Sequence, residues 1–154
     1  MPNVITHPTA FSVDEYRRAL GEMIANIKPT HFITLVFNRD MEMTSAEKAL
    51  RAFHARLDRK ALGPGWRELG GKRSRYIAIA ENVDTNFHFH AAFVVAPGYE
   101  DAYANAALKA WEKLMPRGSV DVQPVSFSEG IGRYATKQIT PNTSDRLIIS
   151  EGFA

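Results

Sequence analysis

Two histidines stand one residue apart inside an otherwise apolar run, "NFHFHAAFVV" from Asn86 to Val95. Side chains alternate along a strand, so His88 and His90 would share one face, about 7 Å apart. Phe87, Phe89, Ala91 and Phe93 would line the other face, an apolar stripe suited to a core. The preceding β-like run, "YIAIAE", ends on Glu81. If "VDTN" makes a hairpin with Asp84 and Thr85 at its tip, Glu81 pairs directly with His88, and directly opposed Cβ atoms lie about 4.5–5.5 Å apart. Two imidazoles and a carboxylate with open positions beside them form a familiar ligand set for a divalent cation. A slip of one residue would send Glu81 to the far face and dissolve the set. A cupin also uses His-x-His but needs a later histidine, and none follows His90.

A second group that could do chemistry lies near the C-terminus, in "IGRYATKQI". On a helix, Tyr134 and Lys137 are neighbours at i and i+3. A phenol with a pKa of about 10 is a weak nucleophile until something stabilises its phenolate, and an ammonium or a metal-held phosphate could do so. Gln138 follows directly, and Arg133 precedes the tyrosine.

The elements that must position these residues follow from periodicity. Ser12 and Glu15 have capping-box spacing before a helix with Tyr16, Leu20, Met23, Ile24 and Ile27 on one face, which Pro29 ends. "HFITLVF" reads as a central strand. Thr44 and Glu47 repeat the capping spacing before a helix whose apolar face holds Leu50, Phe53 and Leu57. A glycine-rich connection, "LGPGWRELGGKRSR", leads to the two strands of the hairpin. A third helix spans about Glu100 to Met115, "SVDVQPV" is an edge strand because Pro124 cannot donate to a ladder, and a last helix carries the tyrosine.

The order α-β-α-β-β-α-β-α contains βαββαβ. This predicts an α+β, ferredoxin-like split fold with four antiparallel strands, two helices on one face, an extra N-terminal helix and a C-terminal helix bearing Tyr134. The other sheet face would be left for a ligand, a metal or the last helix. At 154 residues the chain reads as a single domain, residues 1–154, with its core at about 30–139. No apolar run approaches the roughly 20 residues that span a bilayer, so no membrane partner is expected. Absence of cysteine excludes disulfides and thiolate ligands, and a cytoplasmic setting is expected. Net charge is only +2, but Arg51, Arg56, Arg59 and Lys60 lie close together, and Arg67, Lys72, Arg73 and Arg75 follow. Such clustering permits a polyanionic partner without requiring one.

Taken together, the motifs resemble the HUH endonuclease superfamily, in particular the single-tyrosine Rep-type initiators of rolling-circle replication. "FITLVF" is similar to their first motif, "HFH" to the second and "YATK" to the third, in order and spread over about Thr30 to Ile139. The resemblance implies a Mg²⁺ or Mn²⁺ ion on Glu81, His88 and His90, although ligand softness alone would suit Zn²⁺. It implies that Tyr134 attacks a phosphodiester of single-stranded DNA, or of an origin hairpin, to give a 5′-phosphotyrosine, with Lys137 steadying the charge. Lys72, Arg73, Arg75 and Arg133 are the expected DNA contacts. No Gly-x-x-x-x-Gly-Lys-Ser/Thr loop is present, so a helicase would be a separate host protein. Tyr-x-x-x-Gln, ending on Gln138, is similar to the single-tyrosine transposases, where that glutamine joins the metal or phosphate. A non-catalytic nucleic-acid-binding module of the same fold is the third reading.

Overall fold

The structure, a computed structural model, describes residues 12–126 and 128–151. The N-terminal stretch up to Phe11 lies outside the described residues. Helix α1 (Val13–Asn26) leads to β1 (His31–Val36), α2 (Met43–Leu62), β2 (Arg75–Glu81), β3 (His88–Val94), α3 (Glu100–Leu114), β4 (Ser119–Pro124), α4 (Ser128–Ala135) and β5 (Leu147–Ile149). Short 3₁₀ turns fill the glycine-rich connection and the stretch before β5. The sheet order is β4-β1-β3-β2-β5, every pairing antiparallel. Removing α1, α4 and β5 leaves the expected βαββαβ core with β4 at one edge.

Alternation decides what each face carries. Ile33, Leu35, Tyr76, Ala78, Phe89, Ala91 and Phe93 point to one face and meet Leu50, Phe53 and Leu57 of α2 and Tyr103, Ala107 and Trp111 of α3. Trp111 stands edge-on to Phe37 at 5.1 Å, and its indole N–H donates to the Val36 carbonyl at 3.2 Å, so its one polar atom is satisfied. Burial of each such ring stabilises the fold by roughly 1.5–3 kcal/mol. The opposite face carries Phe32, Ile77, Ile79 and Ala92, covered by Leu20 and Ile24 of α1, Ala135 of α4, and Ile139. Where the sequence left this face open, α1 and α4 build a second, smaller apolar layer on it.

The structure departs from expectation at several ends. A fifth strand, β5, pairs with β2 through Ile77–Ile149 and Ile79–Leu147, where four strands were expected. Ser12 caps α1 by accepting the Glu15 amide at 3.2 Å. Thr44, by contrast, lies inside α2, which starts at Met43 after Glu42 with no side-chain cap, and Glu47 pairs with Arg51. Helix α4 ends at Ala135, so Lys137 and Gln138 lie beyond it. Thr136 closes that end by donating its hydroxyl to the Gly132 carbonyl at 2.8 Å, and Arg17 of α1 donates to the Ile139 carbonyl at 2.9 Å.

Helices α1 and α4 meet glycine on glycine. A Cβ added at Gly132 would sit 2.5 Å from the Gly21 carbonyl oxygen, whereas one added at Gly21 would meet Gly132 at an ordinary 3.5 Å. Gly132→Ala should therefore push the helices apart and lower stability by about 1–3 kcal/mol. Gly21→Ala should be neutral or stabilising by up to about 1 kcal/mol through helix propensity. Urea denaturation of the two variants checks the pair; equal effects would contradict the packing described. In the larger layer, Phe89→Ala should cost about 3–5 kcal/mol by the same measurement.

Candidate metal centre

The hairpin between β2 and β3 builds the centre. Asn82 turns the chain in the left-handed region (φ 50°), and its carbonyl accepts the amides of Thr85 and Asn86 at 3.1 and 3.0 Å. The connection is longer than a two-residue tip, yet the register is the expected one: Glu81 opposes His88, and Ile79 opposes His90. All three polar side chains thus share one face, at the end of β2 and the start of β3, where the α1–α4 layer stops.

Their donor atoms converge. Glu81 Oε2 lies 3.0 Å from His88 Nε2 and 3.1 Å from His90 Nε2, and the two Nε2 atoms are 3.2 Å apart. Atoms that one cation would bind as neighbours are already gathered. The remaining ring nitrogens are held from behind: His88 Nδ1 donates to the Asn86 carbonyl at 2.9 Å, and His90 Nδ1 meets the Thr34 hydroxyl at 3.1 Å. Such partners orient an imidazole so that its other nitrogen points inward. Glu81 is 1% exposed, and its Oε1 is buried with no hydrogen-bond partner among the described residues. A buried carboxylate with one oxygen facing two inward-pointing imidazoles and the other left without a partner suits a bound cation. Glu81, His88 and His90 therefore form a cluster able to hold a metal ion.

The electrostatics agree. Burial opposes ionisation of Glu81, but hydrogen bonds from His88 and His90 and the charges of His90 and Lys137 outweigh it, pulling the carboxyl down to about 2. Its hydrogen bond to Glu81 raises His88, against the opposing effect of burial. Without a cation, then, His88 holds a proton on Nε2 to higher pH than an ordinary histidine does. Cation binding must displace that proton. Affinity for Mn²⁺ should fall as pH drops through the raised His88 value and level off above it, a trend that titration calorimetry at several pH values would read. An affinity independent of pH between about 5 and 8 would exclude His88 as a ligand.

Tyr134 and Lys137 join the cluster from the second layer. The Tyr134 ring stands 5.0 Å from the His90 ring and 5.7 Å from Phe32, and is 49% exposed. Lys137 Nζ lies 4.0 Å from the Tyr134 ring centroid and 3.9 Å from Glu81 Oε2. The close approach survives although α4 ends before Lys137, because the bend after Ala135 brings the ammonium back over the ring. Gln138, two residues past the end of the turn at Thr136, is exposed. Arg133 lies with Arg17, Arg18 and Lys137 along a groove of about 620 Å³ between α1 and α4.

The other basic residues singled out from the sequence are elsewhere. Arg75 begins β2, six residues from Glu81 and thus about 20 Å away along the strand. Arg73 is turned inward: its Nε donates to the buried Asp58 at 2.8 Å and its guanidinium stacks on Trp66 at 4.8 Å. Lys72 reaches Tyr99. Sequence reasoning missed Thr34 and Phe32, which stacks on His90 at 5.3 Å. The signal for Thr34 was its hydroxyl in an otherwise apolar strand centre, two residues from Phe32 on the same face.

No family model matches the chain, and neither a curated protein nor a solved structure matches it. No helix among the described residues is long and apolar enough to cross a membrane.

Proposed function

We propose that this chain is a metal-dependent enzyme that nicks and rejoins single-stranded DNA through Tyr134, in the manner of the Rep-type HUH endonucleases it resembles. The observation that carries this reading is the meeting of one hairpin with a distant helix: a carboxylate and two imidazoles within 3.2 Å of one another, and a half-exposed phenol beside His90. A Mg²⁺ or Mn²⁺ ion bound there would act as a Lewis acid on the scissile phosphate. The carboxylate and two imidazoles would hold the ion and leave positions open for phosphate oxygens.

The chain's own residues do the rest. Tyr134 Oη forms a bond to phosphorus as the bond from phosphorus to the 3′ oxygen breaks; the phenol loses its proton and the departing 3′ oxygen gains one. The product is a 5′-phosphotyrosine and a 3′-OH, which can attack the same linkage in reverse, so no nucleotide cofactor is consumed. Lys137 faces both the phenol ring and Glu81, where its ammonium can stabilise phenolate or phosphate charge. Thr34 and the Asn86 carbonyl hold the imidazoles in place. In a cell this chemistry fits initiation of rolling-circle replication of a plasmid or phage in the cytoplasm, with unwinding by a separate host helicase. The transposase alternative gains less support: Gln138 is exposed, and Tyr134 already stands beside His90 of its own chain, so no exchanged helix is needed.

Tyr134→Phe should bind single-stranded DNA normally but form no covalent adduct. The check is denaturing electrophoresis after incubation with a labelled pool of single-stranded DNA and Mn²⁺. An adduct in this variant would remove Tyr134 as nucleophile. His88→Ala should lose both cation binding and cleavage while unfolding at the same urea concentration, and unchanged cleavage would exclude the metal assignment.

A further inference from the structure

The charge of this chain is concentrated in one segment. Between Arg51 and Arg75 stand eight lysines or arginines and two acids, a net of +6, in a chain whose total is +2; the remainder therefore carries −4. One of the two acids, Asp58, is fully buried and already committed, accepting from Arg73 Nε, the Ser74 amide and hydroxyl, and the Tyr103 hydroxyl at 2.7–3.0 Å. That network ties the glycine-rich connection to α2 and α3, so the charges on it are held in place. Arg56, Arg59, Lys60 and Arg67 are exposed, and none has a carboxylate within 4 Å among the described residues. Ala52, Ala55, Arg56 and Arg59 form one stripe of α2 that, with Pro64, Trp66 and Arg67, lines a groove of about 510 Å³.

We propose that this groove and the arginines around it form a second DNA-binding surface, one that grips the phosphate backbone of duplex DNA and lies on the sheet face opposite the metal centre. The identity of the polyanion as DNA rests on the function proposed above. Backbone rather than base recognition follows from Trp66, the one large aromatic ring in the groove. Arg67 and Arg73 approach that ring at 5.0 and 4.8 Å, which leaves it poorly placed to stack on bases. Single-strand binders need such open aromatic platforms. What remains is an array of fixed cations on a helix of 20 residues, about 30 Å long, with neighbours at i, i+3 and i+4 about 5–6 Å apart. The contacts are sequence-independent, and their strength must depend steeply on salt because each phosphate neutralised releases counterions. A duplex held there would leave the single-stranded part of the same molecule to reach Glu81, His88 and His90 around the sheet.

The test uses fluorescence anisotropy with a blunt, labelled duplex of about 20 base pairs at several salt concentrations. The triple variant Arg56→Ala, Arg59→Ala, Arg67→Ala should bind at least ten-fold more weakly than the parent, with a slope of log K against log salt smaller by about 2–3. A control triple of equal charge loss, Lys109→Ala, Lys113→Ala, Arg117→Ala, should bind nearly as the parent does. Failure of the parent to bind duplex, equal loss in both triples, or better competition by a single strand of the same length would each overturn the proposal. Adduct formation on single-stranded DNA is read separately. Loss of duplex binding in the first triple with no adduct from any protein would sink the nicking reading and leave this surface standing; the reverse pattern would do the opposite.

Discussion

The register of one hairpin governs the candidate site. Glu81 opposes His88 because Asn82 turns left-handed and its carbonyl gathers the amides of Thr85 and Asn86. Strand alternation has period two, so a shift by one residue would carry the carboxylate into the aromatic layer and leave the imidazoles without it. The large core enforces the register. Phe87, Phe89 and Phe93 are buried against α2 and α3, and any slip would expose them. The position of the polar face is thus fixed by the apolar face behind it.

Holding the three groups together without a cation sets buried like against like. Two imidazole nitrogens 3.2 Å apart cannot both carry protons toward each other, and Glu81 relieves this by accepting from them. Its second oxygen still has no partner. A fully satisfied network would be inert; this one has an unmet acceptor on a carboxylate that Lys137 also approaches, with Tyr134 beside the neighbouring His90. Unmet polar groups inside proteins are uncommon enough that each one points toward a ligand or a strain reservoir.

Much of this was legible in the sequence, because the signals were local. His-x-His in an apolar strand, a carboxylate at the end of the preceding strand, and the order of helices and strands all follow from periods of two and 3.6 residues. What was not legible depends on distant partners. Helix α4 ends at Ala135, and the chain beyond it is held by Arg17, more than a hundred residues earlier, which donates to the Ile139 carbonyl. Strand β5 is three residues in a polar tail, and it is placed by pairing with β2 and by burial of Ile148 in the larger core. Thr44 had the right spacing for a cap, but the helix began a residue before it. Arg73 looked like surface charge because nothing near it in sequence reveals the buried Asp58 that claims it.

The two glycines that let α1 and α4 touch have a consequence for the geometry of this centre. Glu81, His88 and His90 are rooted in the sheet and Tyr134 in a separate pair of helices, and the two parts meet in the small layer around Phe32, Ile79 and Ala92 and where Tyr134 and Lys137 approach His90 and Glu81. A shift of α4 on α1 at the glycine contact would alter the reach between the phenol and the three polar groups while leaving the aromatic core undisturbed. The phenol and the carboxylate–imidazole cluster therefore ride on separate parts of the fold, brought together by packing.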